Sequence, residues 1–169
     1  LNNKIQNLII KEVKVNDDRL RYHVDKNEIR KIVGLKFKKI ERRSKFLLFF
    51  FNKSVIMLVH LGMTGKFFFV NKKNKKFKTS FYYNINNKKD HKHDRVVFFL
   101  NRNQKLIYND IRKFGFIKFL NSRNYNDNLH LSNLGPEPLG KLFNYLYFKQ
   151  YIKAKNRAIK DVLMDPTPF

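Results

Sequence analysis

The sequence predicts a mainly β protein, a two-sheet antiparallel β-sandwich of about eight strands with flanking helices, α+β overall. Three observations carry this. Between Asn7 and Leu120 short apolar or alternating runs recur with turn signals about every ten residues, the spacing of a sandwich or barrel. After Leu139 the apolar period changes from that of a strand to that of a helix. The chain has 169 residues and is 43% hydrophobic, which bounds it to one core-forming domain with a helical extension. The expected division is residues 1–138 as the sandwich and 139–169 as a helical segment leading into a further domain.

The elements follow in order. Asn7 to Val15 (NLIIKEVKV) alternates in part and reads as a strand, closed by the turn formers Asn16, Asp17 and Asp18. Lys26 to Val33 is a short helix that Gly34 ends. Leu35 to Glu41 alternates again. Phe46 to Phe51 (FLLFFF) and Val55 to His60 are apolar strands split by Asn52-Lys53-Ser54 at hairpin distance. Lys66 to Val70 is the next strand, and Asn71 to Lys78 (NKKNKKFK) a solvated basic loop. Phe81 to Tyr83 is a short strand and Asn84 to Lys92 a polar loop. Arg95 to Leu100, Lys105 to Tyr108 and Gly115 to Leu120 complete the strands. Beyond Asn121 a polar loop leads to LGPEPL (Leu134 to Leu139). Phe143 to Ala154 has apolar residues at helical spacing, Arg157 to Met164 forms a second helical piece, and Asp165 to Phe169 (DPTPF) is neither helix nor strand.

Composition narrows the function. FLLFFF is far too short to cross a bilayer, and no signal-peptide pattern is present, so a cytoplasmic protein with no membrane partner is expected. With no cysteine there is neither a disulfide framework nor a cysteine zinc site. The net charge of +24 favours a polyanionic partner, most simply nucleic acid. Lysine, asparagine, phenylalanine and isoleucine are all products of AT-rich codons, so the positions of individual basic residues say more than their total.

Four stretches concentrate the chemistry: ERRSKF (Glu41 to Phe46), HLGMTG (His60 to Gly65), KHDR (Lys92 to Arg95) and YNDIRKFG (Tyr108 to Gly115). In HLGMTG, two of the chain's six glycines and one of its three methionines share six residues. Such a methionine is either tucked into the core or held out towards a partner. Taken in order, with LGPEPL and KNRAIKDVLMD downstream, these stretches resemble the N-terminal domain of bacterial formamidopyrimidine-DNA glycosylases, over about Arg19 to Asp165. The resemblance implies base-excision repair: a bifunctional DNA glycosylase and AP lyase that removes oxidised purines from double-stranded DNA, as a monomer, by base flipping and a Schiff base.

An enzyme that acts on a base takes it out of the stack, and an apolar wedge fills the space left. By resemblance the wedge is Met63 of HLGMTG with Arg112 and Phe114 of DIRKFG. Read without the resemblance, Met63 and Phe114 are ordinary core residues. Lys45 corresponds to a catalytic-pocket lysine near the phosphates of the flipped nucleotide. Arg43 and His93 correspond to phosphate contacts, which position DNA without reading its sequence. Lys160 corresponds to a lysine near the active site. His60 reads as structural, and Glu137 has no assigned role.

Family members begin with a PELPEVE-like segment whose proline is the amine nucleophile and whose glutamate handles protons. They continue past the equivalent of Met164-Asp165 into a helix-two-turn-helix region and a cysteine zinc finger. This sequence begins LNNKIQN and stops at PTPF. The expectation is a truncated or fragmentary form, without cofactor of its own and inactive alone. A catalytically dead, basic DNA-binding remnant is the alternative. The motif series opposes a generic RNA-binding protein.

Overall fold

The computed structural model describes residues 1–71, 76–78 (backbone only), 90–153 and 155–165. Among these residues nine strands form two antiparallel sheets. The strands are β1 (Ile10–Val15), β2 (Phe37–Arg43), β3 (Phe46–Phe51), β4 (Val55–His60), β5 (Lys66–Val70), β6 (Lys76–Lys78), β7 (Asp94–Leu100), β8 (Gln104–Asn109) and β9 (Phe116–Asn121). One sheet is ordered β1-β7-β8-β5-β6 and the other β2-β3-β4-β9. The expected sandwich is therefore present, with nine strands rather than about eight.

Side chains one residue apart along a strand point to opposite faces, and the inward set of each sheet meets in one core. Phe49, Phe51, Met57, Val59 and Ile117 come from the four-stranded sheet, and Phe67, Phe69, Val96, Phe98, Leu106 and Tyr108 from the other. The rings of Phe49 and Phe67 meet across the two sheets in a tilted contact at 5.2 Å, and Phe67 meets Tyr108 at the same distance. Each such phenylalanine contributes about 1.5–3 kcal/mol by leaving water.

The sequence placed a basic loop over Asn71 to Lys78, but Lys76–Lys78 is strand β6, paired with β5 from Val70↔Lys76 to Phe68↔Lys78. It is last in the sheet order among the described residues, and a run of lysines reads as loop from sequence alone although terminal strands of a sheet tolerate lysine. The expected strand Phe81 to Tyr83, most of the loop Asn84 to Lys92, and residues 166–169 lie outside the described residues.

Helix α1 (Asn2–Ile5) was not foreseen; it buries Ile5, and Asn2 Oδ1 accepts from Ile40 N at 2.7 Å. Helix α2 (Lys26–Arg30) is capped by Asp25, whose side chain accepts from the backbone N–H groups of Asn27 and Glu28.

The chain divides into two compact units, Leu1–Arg123 and Asn124–Phe169. The first holds both sheets. The second contains helix α3 (Tyr145–Ile152), capped by the Asn144 side chain on Tyr147 N, and helix α4 (Ile159–Met164). Among the described residues no helix is long and apolar enough to cross a membrane.

Candidate functional site

Strand register brings the four motifs to one end of the sandwich. In the four-stranded sheet Arg43 pairs with Phe46, Phe46 with His60, and His60 with Phe116, a row running straight across the end. In the other sheet Lys66, Asn109 and Asp94 form the matching row. Two loops join these rows. Leu61 to Gly65 carries the chain from β4 to β5, and Asp110 to Gly115 carries it from β8 to β9. Each therefore crosses from one sheet to the other, and they lie side by side.

Close packing between the loops depends on glycine. Gly62 has φ +60°, and a Cβ there would sit 2.7 Å from the Phe114 carbonyl carbon. A Cβ on Gly115 would collide with the Tyr108 hydroxyl and the His60 carbonyl. Both positions exclude a side chain because backbone or a buried ring already fills the space.

The tips carry Met63 on one loop and Arg112 and Phe114 on the other. Arg112 Nη1 lies 3.1 Å from Met63 Sδ, and its guanidinium sits 4.4 Å from the centre of the Phe114 ring. Met63 is 59% exposed and Phe114 46% exposed. These values exclude the reading of either as a core residue. Three side chains of unlike chemistry form one projecting cluster, with a polarizable thioether and a ring held by a planar cation between them.

Beneath the tips is a buried polar network that the sequence did not reveal. Asp110 is fully buried. Its Oδ1 accepts from Thr64 Oγ1 at 2.5 Å, and its Oδ2 accepts from Gly115 N at 2.9 Å and Tyr108 OH at 3.3 Å. Thr64 Oγ1 in turn accepts from Arg112 N at 3.0 Å. Burial, and then the adjacent Asp110 charge, push the Tyr108 phenol well above the usual range.

Arg95 forms a second layer. It is 7% exposed, and its Nε donates to the Asp110 carbonyl at 2.8 Å. Its Nη1 donates to Asp17 Oδ2 at 3.0 Å, and its Nη2 lies 3.2 Å from His93 Nδ1. Asp17 also accepts from Arg19 Nε at 3.0 Å and pairs with Lys113 Nζ at 2.7 Å. Arg19 and Lys113, as hydrogen-bonded cations, hold the Asp17 carboxyl well below the usual carboxylate range.

The remaining sequence candidates fall as follows. Lys45 is exposed in the two-residue turn between β2 and β3, where Ser44 has φ +51°, and its ammonium lies 5.8 Å from the Phe46 ring centre. Arg43 is half-buried at the end of β2. His93 is half-buried beside Arg95, and its carbonyl accepts from Asp110 N at 3.0 Å. His60 accepts from Gly62 N at its Nδ1 and stacks on Phe116 at 5.5 Å. Arg43, Lys45, His93, Met63, Arg112 and Phe114 thus share one end of the first unit. Lys160 is exposed on α4 of the second unit. Among the described residues no group of three or more His, Cys, Asp or Glu could hold a metal ion.

Asp110, Thr64, Arg95 and Asp17 were missed as site residues. The available signal was an acidic residue between a strand end and a glycine in an otherwise basic segment, and a threonine flanked by that loop's glycine.

Comparison with known proteins gives a consistent set of relatives. Residues 1–117 match the family described as the formamidopyrimidine-DNA glycosylase N-terminal domain. A formamidopyrimidine-DNA glycosylase of Rickettsia bellii is 35% identical over 165 residues, covering 98% of this chain and 55% of that protein. One from a Bradyrhizobium species is 31% identical over 146 residues, covering 86% and 49%. The chain thus spans about half the length of the curated relatives it matches. Among solved structures, the Lactococcus lactis Fpg in complex with DNA containing an abasic site superposes with a TM-score of 0.79. It is 21% identical, covering 99% of this chain and 57% of that one, a likeness of fold.

Proposed function

Given that the chain belongs to the formamidopyrimidine-DNA glycosylase N-terminal domain family, we propose that it serves base-excision repair as the lesion-gripping part of a DNA glycosylase and AP lyase acting on oxidised purines in duplex DNA. The observation that carries this is the exposed cluster of Met63, Arg112 and Phe114 on two braced loops at a basic end of the sandwich. A base turned out of a duplex leaves a hole about one base deep, and an unbranched thioether, a planar cation and a ring are shaped to fill it. Arg43, Lys45 and His93 contribute to phosphate and pocket contacts at the same end. Lys160, on the second unit, is a separate candidate DNA contact. The partner is damaged double-stranded DNA, bound by a monomer in the bacterial cytoplasm.

In this reading the chain's own residues supply positioning: wedge insertion holds the strand open, and the cations hold the backbone. The glycosylase and lyase chemistry is an activity of the whole protein. The test is binding to a duplex with a tetrahydrofuran abasic site and to the same duplex intact, over a salt series. Wild type should prefer the abasic duplex. Met63→Ala, Arg112→Ala and Phe114→Ala should each erode that preference. Lys45→Ala should lower the slope of log K against log salt by about 0.9 if that lysine neutralises one phosphate. Equal affinity for the two duplexes, with a flat salt response, would refute the proposal.

A further inference from the structure

We infer that Asp110 is the positioning residue of the gap-filling cluster: one buried carboxylate locks the two crossover loops together and so sets Met63, Arg112 and Phe114 in place before DNA arrives. This rests on the functional reading above and assigns a residue that touches no DNA.

The geometry separates the two oxygens by task. Oδ2 closes the second loop on itself, accepting from Gly115 N at its exit and from Tyr108 OH on the strand that enters it. Oδ1 reaches the first loop through Thr64 Oγ1. The Thr64 hydroxyl then returns to the second loop by accepting from Arg112 N. Met63 immediately precedes Thr64, and Arg112 is two residues beyond Asp110. Fixing that chain of donors fixes the backbone on which the thioether and the guanidinium stand.

Only a carboxylate satisfies all the donors. An asparagine would meet them in one of two orientations. With its NH2 towards Gly115 N–H, donor faces donor, even though the Tyr108 hydroxyl could turn its proton to the His60 carbonyl and accept. With its NH2 towards Thr64, the hydroxyl proton loses its acceptor. A valine in place of Thr64 leaves Asp110 Oδ1 and Arg112 N without partners, whereas serine keeps the same hydroxyl. An ordered cluster also loses less side-chain freedom when it enters a gap than a mobile one.

The test uses the whole chain labelled with 13C at its methionine methyls. The chain has three methionines, and Met57, fully buried on β4, reports the core while Met63 reports the tip. In Asp110→Asn and Thr64→Val the Met63 methyl should move towards the position of free methionine and relax as a mobile group, with Met57 unchanged. Thr64→Ser should match wild type. The preference for the tetrahydrofuran duplex over the intact one should fall about tenfold in the two disruptive variants, about the factor for freezing one additional long side chain. The salt slope should not change.

An unmoved Met63 signal in both variants would overturn the inference. So would a freed Met63 with the preference intact, a Thr64→Ser protein that behaves as Thr64→Val, or a Met57 signal that moves with Met63. Loss of any preference in wild type would refute the functional proposal instead, and the methyl signals, which need no DNA, would still decide the brace.

Discussion

Replacing Arg95 with methionine keeps most of the side-chain stem and removes every hydrogen bond its guanidinium makes. Four partners are affected: the Asp110 and Ile111 carbonyls, the Asp17 carboxylate and the His93 ring. They do not count equally. The Ile111 contact is long at 3.4 Å. Asp17 retains Arg19 and Lys113, so its loss is about 1 kcal/mol, in the range of a partly screened pair. The Asp110 carbonyl belongs to a fully buried residue and is left without its charged donor, costing about 1–3 kcal/mol. Together the loss is about 2–4 kcal/mol, a large share of the 5–15 kcal/mol typical of a domain. With a urea m-value of about 2 kcal/mol/M, the midpoint should fall by about 1–2 M. Lysine at this position reaches at most one of the partners and should recover less than half. The assay is equilibrium urea unfolding followed by far-UV circular dichroism. A midpoint within 0.3 M of wild type, a shift of about 0.6 kcal/mol at that slope, would show that Arg95 is not a structural keystone.

Two further outcomes are expected. Gly62→Ala should destabilise by several kcal/mol, because a positive φ is joined to a 2.7 Å clash with backbone, whereas Gly34→Ala, at φ +84° but with open space around it, should cost only about 1–2 kcal/mol; thermal unfolding of both would fail the argument if the costs were equal. Asp17→Asn should lower stability at neutral pH, because a carboxyl held below its usual range contributes stability above its unfolded value, about 3.9, and loses it as pH falls through the folded one. The gap between wild type and variant should therefore close below about pH 4, and a gap that widened in acid would reverse the assignment.

The strands of the sandwich were legible because short apolar or alternating runs recur between turn formers, as in Val55–His60, an apolar run buried at four consecutive residues. β6 was not, since its lysines read as loop while its pairing to β5 is a long-range fact. The wedge candidates Met63, Arg112 and Phe114 were visible as motif residues, but their contact is set by two loops 49 residues apart in the Arg112–Met63 pair. Asp110 carried only a faint signal, an acidic residue between a strand end and a glycine in a basic segment. Its meaning lies in burial and in donors from both loops, which a linear reading does not contain. Arg95 read only as the first residue of the strand Arg95 to Leu100; its burial beside the equally buried Val96 coincides with the register irregularity between Asp94 and Val96 at the start of β7, which a linear reading does not contain.

The two crossover loops give the cluster a load path. Under the proposed function, a DNA duplex bent around an inserted side chain would press back on it. At the tip of a single hairpin that push would be absorbed by swinging the hairpin. Here, force on Met63 or Phe114 passes through Thr64 and Asp110 into the ends of β4 and β5 on one side and β8 and β9 on the other. Two of those strands belong to each sheet. Recoil at the tip must therefore shear one sheet over the other, against a close-packed aromatic core that resists compression. Under the proposed function the sandwich would act as an anvil, leaving the elastic strain of the interface to the more compliant body, the nucleic acid.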